Sequence, residues 1–250
     1  MIRITSPYAN GATVDGAVRI EGTSALKKVW FFVLGPQWGA DTFPVDCDGS
    51  FGFTLYLRYG AGTYTIFASD SSGAFDGSIT LTVSNTSSID QIFLKPSAYV
   101  DSDNAEIVAL ARSICLPTMT EAEKTRAIYD WVTENVAYDV DGFVAGSPLE
   151  NRAKASQVLK SKRGICLEYS YLVAALARAA GLQAKVICGY LRGSRVNHAW
   201  NEVYAGGKWI VLDTTLGAGI HRGSTFTKRV TSRYFDTGTS VHVPWGTKTD

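Results

Sequence analysis

The hydrophobic pattern of this chain changes its period once, near residue 88, so the two halves require different folds. Before that point, the runs Val18–Glu21, Val29–Val33, Phe51–Leu57, Tyr64–Ala68 and Ile79–Val83 alternate or are rich in β-branched and aromatic residues. Turn pairs such as Asn10-Gly11, Asp15-Gly16, Asp48-Gly49 and Asp76-Gly77 separate them at short intervals. This layout predicts an antiparallel, immunoglobulin-like β-sandwich over residues 1–88, with no helix. The small polar residues Ser84–Ser88 read as a linker or domain edge, and Asn85-Thr86-Ser87 matches the glycosylation acceptor pattern.

After the edge the period becomes helical, and residues 89–250 are expected to form an α+β domain with helices first and sheet second. Asn104–Ile114 gives a first helix. Thr120 with Glu123 makes a capping box ahead of Ala127, Ile128, Trp131 and Val132 at helical spacing. A third helix is expected around Ala153–Leu159, and an Ala/Leu-rich helix starts near Cys166 and stops at Gly181. Three strands follow, at Ala184–Tyr190, Ala199–Tyr204 and Lys208–Asp213, and then a tail that reads as irregular.

Composition removes several function classes. With 24 basic against 23 acidic side chains there is no global field to attract nucleic acid or an anionic membrane. The four cysteines show no CxxC pair and the three histidines are scattered, so neither a disulfide scaffold, a metal site nor a cofactor is expected. No apolar run is long enough for membrane insertion, and the first residues lack a signal-peptide core. A trimmed piece whose signal has been removed fits that start.

Two features carry chemistry. Cys166 falls in the first turn of its helix, where unpaired backbone N–H groups favour a thiolate and can hold an oxyanion. Lone cysteines in Ala-rich helices are usually core, so the second feature matters more. His198 and Asp213 flank a hairpin with Gly206-Gly207 at its tip. A two-residue loop pairs Ala205 with Lys208 and, counting back, Trp200 with Asp213, which puts His198 and Asp213 diagonally on one face. A carboxylate beside a histidine fixes its tautomer and stabilises the imidazolium, which in turn stabilises a thiolate.

The strings Gly164-Ile165-Cys166, Gly189-Tyr190, His198-Ala199-Trp200-Asn201-Glu202-Val203 and Trp209-Ile210-Val211-Leu212-Asp213-Thr214-Thr215 resemble the core of the transglutaminase-like superfamily of papain-like folds. Upstream, Ala127–Val132 and Val136–Asp139 are similar to its entry helix. Tyr138-Asp139-Val140 and Gly217-Ala218-Gly219 look most like the kyphoscoliosis-peptidase branch and its bacterial relatives. The resemblance implies a catalytic triad of Cys166, His198 and Asp213, with an aromatic or amide group at the oxyanion, for which Tyr138 is the candidate. Leu167 stands where many members have Gln or Glu, and Thr214 where they have proline.

Trp200 and Trp209, on the histidine face of the hairpin, either wall a substrate groove or pack half-buried against the sheet. The basic cluster Lys160, Lys162 and Arg163 offers a preference for acidic substrates or simply a solvated loop. His221 and His242 compete with His198, but neither has a carboxylate at hairpin spacing. The expected activity is a thiol peptidase or amidase acting on protein or peptide substrate through an acyl-enzyme. The alternatives are acyl transfer to amines, which crosslinks proteins, and a scaffold with a vestigial site. An extracellular or cell-surface setting follows from the resemblance, with the sandwich presenting substrate.

Overall fold

The computed structural model describes all residues except 8–9, 89–91, 147–151, 195, 223–224 and 250, and omits the side chains of 221 and 245–249. The chain divides into two compact units, Met1–Ala98 and Tyr99–Asp250. The edge expected after residue 88 borders 89–91, outside the described residues, and the first unit continues to Ala98.

The first unit contains β1 (Arg3–Ser6), β2 (Ala12–Val14), β3 (Ala17–Ser24), β4 (Lys28–Leu34), β5 (Ala40–Asp46), β6 (Gly49–Tyr56), β7 (Gly62–Ser69) and β8 (Thr80–Asn85). They form a three-stranded sheet ordered β1-β3-β6 and a five-stranded sheet ordered β2-β8-β7-β4-β5. Alternation sets the faces: β3 buries Val18, Ile20, Gly22 and Ser24 and exposes the residues between. The sheets meet through Phe31 of β4, whose ring lies 5.6 and 4.9 Å from Phe51 and Phe53 of β6. Such edge-on aromatic pairs add about 0.5–1.5 kcal/mol each to simple burial. Asn85 is not part of a linker. It is buried at the end of β8, accepts from Gly16 N at 2.8 Å and donates to Gly60 O at 2.9 Å, so its amide is unavailable as a glycosylation acceptor in the folded unit.

The second unit contains helices α1 (Ala105–Ile114), α2 (Glu121–Asn135), α3 (Val140–Ala145), α4 (Ala155–Ser161), α5 (Cys166–Ala179) and α6 (Thr214–Ala218). Its strands are β9 (Ala137–Tyr138), β10 (Arg163–Gly164), β11 (Ala184–Leu191), β12 (Asn197–Ala205), β13 (Lys208–Leu212), β14 (Gly219–Arg222), β15 (Thr225–Lys228) and β16 (His242–Thr249). The Thr120/Glu123 capping box forms as read, with Thr120 N donating to Glu123 at 2.8 Å.

Helix α5 is the centre of the unit, touched by α1, α2, α4, β11 and β12. Its Tyr169, Leu172, Val173 and Leu176 are fully buried, each worth about 1.5–3 kcal/mol for apolar side chains of this size. The sheet beneath it runs β13-β12-β11-β16. The β12–β13 hairpin has the predicted register, from Ala205 opposite Lys208 to Asn201 opposite Leu212. Gly206 and Gly207, at φ 60° and 81°, supply the left-handed pair that a two-residue turn of this kind needs.

The tail is not irregular. It forms α6, β14, β15 and β16, and β16 extends the sheet by pairing with β11, Leu191 opposite His242. Gly189 makes that possible, because a Cβ there would meet Val243 O at 2.2 Å and the Trp200 ring at 2.7 Å.

Asn201, wholly buried, joins helix to sheet by donating to Ser170 O and Lys185 O, both at 3.0 Å. Replacing Asn201 with alanine is expected to destabilise the protein by about 1–3 kcal/mol, read by denaturant unfolding. An unaltered midpoint would mean that these bonds do not hold α5 to the sheet.

Candidate active site

The path to Cys166 starts at Lys162, which ends α4 in a left-handed conformation at φ 55°. The chain then enters β10, which pairs in parallel with β9 so that Gly164 lies beside Tyr138. Ala137 N donates to Lys162 O at 2.8 Å and Asp139 N to Gly164 O at 2.9 Å, fixing the two segments together. The buried Glu168 closes the turn by accepting from Ile165 N and from Ala153 N, both at 3.0 Å. Cys166 is therefore the first residue of α5, and helix geometry leaves the N–H groups of its first turn without intrahelical acceptors.

The Gly-Gly hairpin delivers His198 and Asp213 to one face, as the even-numbered loop requires. His198 Nε2 lies 2.6 Å from Asp213 Oδ2. This contact engages Nε2 and leaves Nδ1 as the ring's other nitrogen, and Cys166 lies close enough to help raise the ring's pKa. Asp213 is fully buried and begins α6, where its Oδ1 accepts from Leu216 N at 2.9 Å. Its own N–H donates to Tyr234 O at 3.0 Å.

A second histidine meets the same oxygen. His242 Nε2 lies 2.9 Å from Asp213 Oδ2, and its ring stacks on Trp200 at 4.4 Å and lies 2° from parallel with His198. Its Nδ1 is buried without a hydrogen-bond partner among the described residues, so its contact with Asp213 is made through Nε2. The sequence reading passed over His242 because it sought a carboxylate within one hairpin. The strand-like triplet Val241-His242-Val243 was the available signal.

His198, Asp213 and His242 also have the composition of a metal-binding group, their donor atoms lying within 4.8 Å of one another. The 2.6 and 2.9 Å nitrogen–oxygen separations are those of hydrogen bonds. Two donors each about 2.0–2.1 Å from a tetrahedral zinc stand farther apart than that, so the described geometry is bonding between side chains rather than a prepared cage.

Charge follows from these contacts. Burial alone pushes the His198 pKa down, but the Asp213 charge and hydrogen bond, joined by Cys166, outweigh it and raise the ring from 6.5 to about 10. Burial pushes the Asp213 carboxyl up, while the His198 charge and the bonds from His198, His242 and Leu216 N hold it well below the usual carboxylate range.

Cys166, His198 and Tyr138 line one cavity of about 470 Å³, shared with Arg229 and Arg233. Tyr138 stacks on Phe226 at 5.6 Å, and its hydroxyl pKa is raised by burial and by Cys166. Trp200 and Trp209 do not wall this cavity. Trp200 packs in the core with Ile187 and Val211, and the His242 ring of β16 stacks on it. Trp209 lies near the hairpin tip, edge-on to Tyr204 at 5.3 Å and under Lys185 at 3.6 Å. Within the basic cluster, Arg163 pairs with Asp139 and Asp141, and Lys162 sits 4.2 Å over Trp131.

These shifts give stability a pH dependence. The raised His198 stabilises the fold fully below pH 6.5, and that stabilisation is lost as pH climbs through about 10. The lowered Asp213 stabilises it above the usual carboxylate range, and this is lost on acidification. Asp213→Asn is expected to cost about 3–5 kcal/mol near neutrality and to flatten the decline between pH 6.5 and 10. Denaturant unfolding across that range checks it, and a variant as stable as the parent would contradict it.

Residues 108–214 match the transglutaminase-like superfamily model. Over 126 residues the chain is 30% identical to the kyphoscoliosis peptidase of Homo sapiens, a match covering 46% of this chain and 18% of that protein. The corresponding protein of Mus musculus is 30% identical over 112 residues, covering 40% and 16%. The matched part thus spans less than a fifth of the length of these curated relatives. A solved structure of a cysteine protease candidate from Cytophaga hutchinsonii covers 86% of this chain and 79% of its own, at 18% identity and a TM-score of 0.44. The family model thus finds a transglutaminase-like domain at residues 108–214, and the curated matches are to kyphoscoliosis peptidases.

Proposed function

We propose that the second unit is a thiol peptidase or amidase in which Cys166 is the nucleophile, His198 the base and Asp213 the group that orients the base. The observation that carries this reading is the joint position of Cys166 and His198 on one cavity, with His198 held by the buried Asp213 at 2.6 Å. In the resting site His198 already holds the proton of the Cys166 thiol as an imidazolium, and the thiolate sulfur adds to an amide carbonyl carbon. The oxyanion is held by the N–H groups of the first turn of α5, with the Tyr138 hydroxyl as a second donor. Collapse breaks the C–N bond, the amine leaves with the proton from His198, and a thioester remains on Cys166. Water, deprotonated by His198, then adds to the thioester, and collapse releases the carboxylic acid and restores the thiol.

His242 acts in this reading as a positioning residue. Donating to Asp213 Oδ2 alongside His198, it fixes the carboxylate and draws off part of the charge that His198 sees. His242→Phe retains the ring stack on Trp200 and removes the donor. Alkylation of Cys166 is expected to slow several-fold, and the alkaline limb of its pH profile to move upward. A change in rate without a change in profile would reduce His242 to packing.

Transfer of the acyl group to an amine is the alternative outcome for the same thioester, and a vestigial scaffold is the alternative to catalysis. The resemblance to the kyphoscoliosis branch favours water. We also read the first unit as an immunoglobulin-like module that targets the enzyme or presents its substrate, at the cell surface or wall; its two packed sheets support that reading.

Iodoacetamide should modify Cys166 at neutral pH well over tenfold faster than free cysteine, and His198→Ala should abolish the excess. Equal rates for Cys166 and free cysteine would leave only the scaffold. With a peptide mixture in 18O-labelled water containing a primary amine, labelled carboxylate ends are expected in excess of amine adducts. Predominant adducts would instead identify an acyltransferase.

A further inference from the structure

We propose that the cavity over Cys166 selects substrates carrying a carboxylate next to the amide under attack, through Arg229 and Arg233; this rests on the thiol chemistry of the preceding section. Both arginines line the cavity together with Cys166 and His198, and no aspartate or glutamate is among its described lining residues. Several nearby acids are already paired or buried, while the Glu134 charge acts on Lys228. Asp139 and Asp141 pair with Arg163, Asp236 pairs with Lys208 at 2.7 Å, and Asp213 is buried behind His198. Among the described residues, by contrast, neither the Arg229 nor the Arg233 guanidinium has a hydrogen-bond or ion-pair partner.

Exposed arginines are common, but these two project from a tethered segment. Arg229 N donates to Ala218 O at 3.0 Å, Thr231 N to Gly217 O at 2.9 Å, and Tyr129 Oη to Thr231 O at 2.7 Å. Tyr234 O accepts from Asp213 N at 3.0 Å, so the segment is bonded to the residue that orients the base. At the other end, Lys228 Nζ donates to Val136 O at 2.7 Å and to Thr133 O. A cationic wall fixed to the same elements as the nucleophile loses little freedom when it receives an anion. A planar guanidinium recognises a carboxylate by paired hydrogen bonds, which a solvated lysine cannot match.

The test uses the whole chain and two reagents that differ in charge. Iodoacetamide and iodoacetate each transfer a carbon to sulfur with loss of iodide, so their rate ratio at Cys166, referred to free cysteine in the same buffer, reports the field in the cavity. The iodoacetate preference is expected to exceed that of free cysteine by about fivefold at low salt, to shrink as salt is added, and to vanish in Arg229→Gln/Arg233→Gln. A ratio no higher than that of free cysteine, or one that survives the double substitution, overturns the proposal. Fast iodoacetamide modification with no iodoacetate preference would do so while leaving the thiol mechanism standing.

The source of the carboxylate is read by protection of Cys166 with three peptides of equal length. One has a central glutamate and an amidated end, one a central glutamine and an amidated end, and one a central glutamine and a free end. Stronger protection by the first identifies an acidic side chain, and by the third a terminal carboxylate. Equal protection by all three overturns the selectivity.

Discussion

The carboxylate of Asp213 is taken wholly out of water, and the organisation of the second unit follows from how it is satisfied. An isolated buried carboxylate would cost several kcal/mol or take up a proton. Here one oxygen receives two imidazole donors and the other caps the first turn of α6. The arrangement therefore needs three pieces of chain at once: β12 for His198, β16 for His242, and the β13–α6 junction for Asp213 itself. In exchange the negative charge engages Nε2 of His198 and so leaves Nδ1 as the nitrogen not bound to Asp213. The orientation of His198 and the packing of the sheet edge are one structural problem.

Cys166 is held by an independent set of contacts. The β9–β10 pairing and the buried Glu168 set the start of α5, and its Ala/Leu-rich body anchors it among neighbouring helices and the sheet. The two halves of the site are joined through Asn201, which bonds a carbonyl of α5 from the strand carrying His198. Rigid secondary elements thus supply Cys166, His198 and Asp213, and the tethered segment after β15 supplies the facing wall.

Local rules made much of this legible. The Gly206-Gly207 turn sets the hairpin register, the register sets the face, and the face brings His198 to Asp213 without any knowledge of the rest of the chain. The Thr120 cap, the α5 start and the alternating strands of the first unit are likewise short-range signals. His242 was not legible, because it reaches Asp213 through a pairing of β16 with β11 that spans some fifty residues and depends on the bare backbone at Gly189. Which of groove wall or packing holds for Trp200 was open for the same reason: the His242 ring that stacks on it comes from a tail whose composition suggests no strand. Arg229 and Arg233 carried no pattern in the sequence, since their significance depends on which acids nearby are already paired.

The account stands most directly on the charge of one ring. A nitrogen-resolved NMR titration of His198 in the intact chain, with Asp213→Asn as its control, reads that charge. The account predicts that the imidazole stays doubly protonated through pH 8 and loses its proton only well into the alkaline range, a behaviour lost in the control. Titration of the parent ring near 6.5 would contradict the coupling of Asp213, His198 and Cys166 on which the proposed chemistry depends.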